Sequence, residues 1–188
     1  GTNTLYAEIK AGDVVIKTDE ATVTFTEEKP SVKEITIGTY QRTSSYVPHE
    51  FNCTSSESQF IANADYLQSY GLEPGSKITG IKFPSYTSYD YTSSGRYKVA
   101  MKSVNLTSLT TDNMSELLFD DGDVKFMDDN YNFVYSSASS FNNPICIAAA
   151  SFSEPYEYDG GNIAIWSQVI RNSEWKSATN FATDEVTN

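Results

Sequence analysis

Apolar and polar residues alternate along much of this chain with a period of two. Leu5, Ala7 and Ile9 are separated by Tyr6 and Glu8, and Val23 and Phe25 by threonines. Ile35 and Ile37 flank Thr36, and Tyr97, Val99 and Met101 alternate with Arg96, Lys98 and Lys102. Each pattern predicts a strand with one face on a core and the other in water. Residues 145–152 and 163–170 are more continuously apolar, which predicts central strands covered on both faces, with Trp166 part of the packing.

Turn signals punctuate these runs at short intervals: Ala11-Gly12-Asp13, Glu73-Pro74-Gly75, Ser94-Gly95, Asp121-Gly122-Asp123 and Asp159-Gly160-Gly161. Many short strands so divided predict an all-β fold, an antiparallel jelly-roll-like β-sandwich with a few extra N-terminal strands. Helix is scarce. Residues 63–70, stopped by Gly71, form one candidate, and residues 111–118, capped by Asp112, a weaker one. The charged, proline-containing run Glu27-Glu28-Lys29-Pro30 reads as a linker. It divides residues 1–30 from residues 31–188. The first part predicts a hairpin of residues 5–9 and 14–16 plus a strand at 21–26, too few for a domain of their own. They read as partial immunoglobulin- or fibronectin-like strands, or as an N-terminal extension of the sandwich.

Composition narrows the functional classes. The chain of 188 residues carries a net charge of −12, with thirteen Tyr, ten Phe and two Trp against one His and two Cys. Acidity without a basic patch excludes nucleic acid as a partner, because nothing would displace counterions from phosphates. Abundant aromatics exclude disorder. No run of eighteen apolar residues predicts a membrane span. One His and two Cys cannot close a zinc site. Cys53 and Cys146 read either as a long-loop disulfide or as two separate thiols. His49, with no nucleophile motif around it, reads as a surface or capped residue, and no hydrolase or phosphate-loop pattern occurs, so no enzyme is expected.

An ordered series of short blocks carries a resemblance. Ile37-Gly38-Thr39 comes first, then Ser58-Gln59-Phe60-Ile61 leading into the helix. Gly75-Ser76-Lys77-Ile78-Thr79-Gly80-Ile81-Lys82-Phe83, Phe119-Asp120-Asp121-Gly122-Asp123-Val124 and Pro155-Tyr156-Glu157-Tyr158-Asp159-Gly160-Gly161-Asn162-Ile163 follow. In this order, over about residues 35–175, they resemble the cleaved-adhesin, or gingipain haemagglutinin-type, surface β-sandwich domains of Bacteroidetes. The resemblance implies a secreted or cell-surface location, outer-membrane associated, and a non-catalytic binding role toward carbohydrate or a host or surface protein. Some members carry structural calcium. The alternative is a structural or interaction domain of a larger cell-surface protein, or an accessory domain of a carbohydrate-active enzyme.

Two constellations are candidate sites. Asp120, Asp121, Asp123, Asp128 and Asp129 place five carboxylates within ten residues, and Asp159 stands in a second turn; clustered carboxylates suit calcium, which takes six to eight oxygen ligands. The same Asp-Gly sequence serves a plain hairpin turn. Tyr86, Tyr89 and Tyr91 lie in a Ser/Thr-rich loop with Asp90, and Trp175 lies near the C-terminus. Aromatic faces of this kind stack on sugar rings, with Asp90 as a hydroxyl acceptor; equally, such residues cover sandwich edges.

Overall fold

The computed structural model describes residues 2–11, 14–24, 32–39, 42–44, 48–86, 91–110, 117–135, 145–172 and 180–183. The chain divides into two compact units, Gly1–Glu34 and Ile35–Asn188. In the first, β1 (Thr2–Ala11) and β2 (Val14–Thr24) form a two-stranded antiparallel sheet of their own, with a register shift at Ile9/Lys10. The separate strands expected at 14–16 and 21–26 are one strand. Cross-strand hydrogen bonding carries the polar stretch Lys17-Thr18-Asp19-Glu20 through as part of the ladder.

The second unit is an antiparallel sandwich. Its elements are β3 (Arg42–Ser44), β4 (Ser55–Ala62), α1 (Ala64–Ser69), β5 (Lys77–Tyr86), β6 (Tyr91–Val104), β7 (Val124–Tyr135), β8 (Ile145–Glu157), β9 (Asn162–Arg171) and β10 (Asn180–Thr183). One sheet has the order β3-β10-β5-β8 and the other β4-β9-β6-β7. Eight strands interleaved in this way between two four-stranded sheets make the jelly-roll arrangement of paired Greek keys. The all-β sandwich predicted from periodicity is therefore the observed fold.

Some local expectations change. Ile35 and Ile37 are not in a strand; Ile35 packs against the core while Ile37 is 36% exposed. β8 is not central. Among the described residues it pairs with β5 alone and ends its sheet, with Ala148 and Ala150 in the core and the backbone N–H of Ala149 donating to Tyr131 Oη at 2.9 Å. β9 does lie between β4 and β6, and Ile163, Ile165 and Val169 point into the core. The helix at 63–70 is confirmed as α1, ended by Gly71 at φ 88°; residues 111–116 of the second candidate lie outside the described residues.

The core is aromatic. Tyr97, Phe51, Phe133 and Phe181 are each at most 1% exposed, and burial of each such ring contributes roughly 1.5–3 kcal/mol. His49, also 0% exposed, is buried with them. Its ring meets Phe51, Phe83, Tyr97 and Phe181 edge-on at 5.6–6.0 Å between centroids. This corrects the surface reading of His49: a single imidazole provides flat apolar bulk, and its Nε2 lies 3.0 Å from the buried Ser167 Oγ. Arg171, 4% exposed, seals one end by donating from Nε and one terminal nitrogen to the Cys53 carbonyl at 3.1 and 2.8 Å, above the Phe51 ring. Gly95 lets β6 and β9 approach, since a Cβ there would lie 2.1 Å from the Ile170 carbonyl oxygen.

Candidate functional site

The structure divides the predicted acidic cluster between a turn before β7 and β7 itself. Residues 120–123 form a tight turn in which Asp120 Oδ1 accepts from the N–H of Gly122 at 2.8 Å and of Asp123 at 3.2 Å. Asp123 Oδ2 accepts in return from the Asp120 N–H at 3.1 Å. The turn leads into β7 and does not join two strands, so the expected hairpin is absent: residues 117–120 before it are not a strand. Asp128 and Asp129 lie within β7, not on a loop. There Asp129 and Asn130 bulge opposite Arg96, and Asp129 is ion-paired to that arginine. Asp128 lies five positions beyond Asp123 in the chain, about 16 Å at strand rise. Lys102 Nζ lies 3.4 Å from Asp123 Oδ2 and also donates to the Leu118 carbonyl, so an internal cation occupies the turn. Asp121 is exposed beside it. Among the described residues no three His, Cys, Asp or Glu side chains gather closely enough to hold a metal ion.

The Tyr158-Asp159-Gly160-Gly161-Asn162 turn is a structural clip. Tyr158 is 1% exposed; its N–H donates to the Ser76 carbonyl at 2.9 Å and its carbonyl accepts from the Gly75 N–H at 2.7 Å. Gly160, at φ 94°, packs on Pro74, which a Cβ would approach at 2.9 Å. Asn162 Oδ1 accepts from the Ala64 N–H at 2.8 Å, capping α1 from a distant strand, while its Nδ2 donates to the Leu106 carbonyl at 2.9 Å. Asp159 Oδ1 accepts from the Gly161 N–H at 2.8 Å. The Ser103 hydroxyl, first, and that N–H hold the Asp159 carboxyl below its ordinary range. Ser103 Oγ is also 2.8 Å from Tyr156 Oη, and burial pushes the Tyr156 phenol up, so this group stays protonated and serves as a hydrogen-bonding group.

Of the predicted sugar-contacting residues, Tyr86 ends β5 and Tyr91 begins β6, while Tyr89, Asp90 and Trp175 lie outside the described residues. Cys53 is an exposed free thiol, so the long-loop disulfide to Cys146 is not formed.

Trp166, expected in the strand packing, is half-buried on the face of the sheet that the sequence reading did not assign to it. It was grouped with Ile163 and Ile165, but one residue from Ile165 in a strand means the opposite face. It stands in ladder register between Gln59 of β4 and Ala100 of β6, on the side of the sheet away from the core. Phe119 flanks the indole at 6.4 Å between centroids, and Lys98 Nζ lies 5.6 Å from its centre. In the next row Gln168 Nε2 donates to Glu57 Oε2 at 3.2 Å. Gln59 Oε1 is shielded from solvent and has no hydrogen-bond partner among the described residues. The same strand face begins at Asn162, which with Asn63, Ala64, Asp65, Tyr66 and Thr107 lines an open cleft of about 350 Å³. Tyr66 is 42% exposed there and meets the Tyr70 ring edge-on at 5.1 Å. The alternation of apolar and polar residues in β9 was the signal that could have placed Trp166 outward.

The face combines an indole, amide groups, a carboxylate and an ammonium on rigid strands. It can offer an aromatic surface to an apolar ring face and donors and acceptors to hydroxyls at the ring edge. Comparison with family models, with curated proteins and with solved structures finds no match to this chain.

Proposed function

We propose that the sandwich is a non-catalytic binding module of a secreted or cell-surface protein and that it takes carbohydrate on the outer face of the β4-β9-β6-β7 sheet. The observation that carries this reading is Trp166, turned outward between Gln59 and Ala100 with Lys98, Gln168 and Glu57 around it. A strand-borne aromatic loses little side-chain freedom on binding, and amide side chains supply both donors and acceptors for sugar hydroxyls. The cleft beside α1, with Tyr66, continues the same face from Asn162 and gives a chain of sugars a second ring to meet.

The test is a glycan array followed by titration of the intrinsic fluorescence. Binding is expected to perturb the Trp166 emission, and Trp166→Ala is expected to lose it with the fold intact by circular dichroism. An array without hits, or a Trp166→Ala variant that binds as the parent does, refutes the reading. A second reading, an interaction domain of a larger surface protein, draws on the division of the chain into two compact units.

A further inference from the structure

We infer that the sugar accepted at the Trp166 face is an acidic one, a hexuronate-containing glycan, with Lys98 as the residue that selects it; the inference rests on the carbohydrate reading above. Three cations, Arg96, Lys98 and Lys102, line the outward side of β6 in a chain whose net charge is −12. Two of them are already neutralised, Arg96 by Asp129 and Lys102 by Asp123. Lys98 has no carboxylate partner among the described residues. Its ammonium lies over the Trp166 ring at 5.6 Å.

The nearest acid in its row, Glu57, stands two strands away across Gln168, about 9.6 Å at the usual strand spacing, and accepts a hydrogen bond from that amide. Lys98 therefore projects an uncompensated charge onto the indole. A neutral pyranose stacking on Trp166 would have to displace that ammonium and could return only hydroxyl acceptors, weaker partners for it than a carboxylate. A hexuronate lays its ring on the indole and presents its carboxylate at the ring edge, where a four-carbon lysine stem reaches it by a small swing, forming a charge-assisted hydrogen bond. The acidic remainder of the molecule does not prevent this, because repulsion between exposed charges is screened beyond about 8 Å at physiological salt.

Trp175→Phe leaves Trp166 as the sole indole and serves as the parent for fluorescence titrations with trigalacturonate and with galactotriose. The expected result is at least about tenfold tighter binding of the acid, weakening as salt is raised, with the preference abolished in Lys98→Met while galactotriose affinity is unchanged or improved. Equal affinity for the two sugars, or a preference that survives Lys98→Met, overturns the role of Lys98 and leaves the carbohydrate reading standing. Failure of both sugars to perturb Trp166 at millimolar concentration overturns the inference; an empty glycan array would remove the carbohydrate reading as well.

Discussion

Acidification should destabilise this sandwich through one residue, His49. The imidazole is fully buried among four aromatic rings, and burial holds its pKa down to about 3 from an ordinary 6.5. Its Nδ1 has no hydrogen-bond partner among the described residues, and its Nε2 meets a hydroxyl, so neither nitrogen finds a counter-charge. The unfolded chain takes a proton on this ring as pH falls below 6.5, and the folded chain does not until about 3. The unfolded state thus binds more protons across that window, and stability falls as pH falls, by up to about 1.4 kcal/mol per pH unit. From pH 7 to pH 4 the loss from His49 is about 3 kcal/mol, of the order of a third of a typical domain's stability. Urea denaturation at pH 7, 6, 5 and 4 measures it. The carboxylates also titrate in the lower part of this range, so the decisive comparison is with His49→Leu/Ser167→Ala, which removes both buried polar partners together. The variant is expected to lose the dependence between pH 6.5 and 5, where the carboxylates are still ionised. A variant whose stability falls with pH as steeply as the parent's would refute a neutral, desolvated His49.

Two further outcomes test the clip and the acidic turn. Asn162→Ala removes the acceptor for the Ala64 N–H and the donor to the Leu106 carbonyl, and should cost about 1–3 kcal/mol in denaturant while speeding hydrogen exchange at Ala64; unchanged exchange there would show that α1 is capped otherwise. Because Lys102 and backbone N–H groups already engage Asp120 and Asp123, millimolar calcium against chelator is expected to leave the melting temperature unchanged; a rise of several degrees would show that these carboxylates hold the ion.

The period-two pattern of Tyr97, Val99 and Met101 was enough to fix both the strand and its buried face, because successive side chains in an extended chain must point to opposite sides. The short helix before Gly71 was legible for a similarly local reason: that position adopts a positive φ which glycine takes without strain. Trp166 was misplaced when local apolarity was weighed above its position in the alternation. The acidic run shows a different limit. Its spacing along the chain placed five carboxylates together, yet strand extension carried Asp128 and Asp129 away from Asp123, and the β6 partners Lys102 and Arg96 came in beside them.

The sequence by itself determined that this chain builds antiparallel strands with one apolar face, since alternation and turn residues are properties of neighbours in the chain. Only the tertiary structure decided that Asn162 caps a helix ninety-eight residues earlier, that His49 meets four rings and Ser167, and that Gln59, Lys98 and Trp166 share one outward face. Those juxtapositions arise from which strands pair and in what register. A shift of one residue would turn every side chain to the other side of its sheet, so the grouping of Gln59, Lys98 and Trp166 depends on the register of the whole jelly roll.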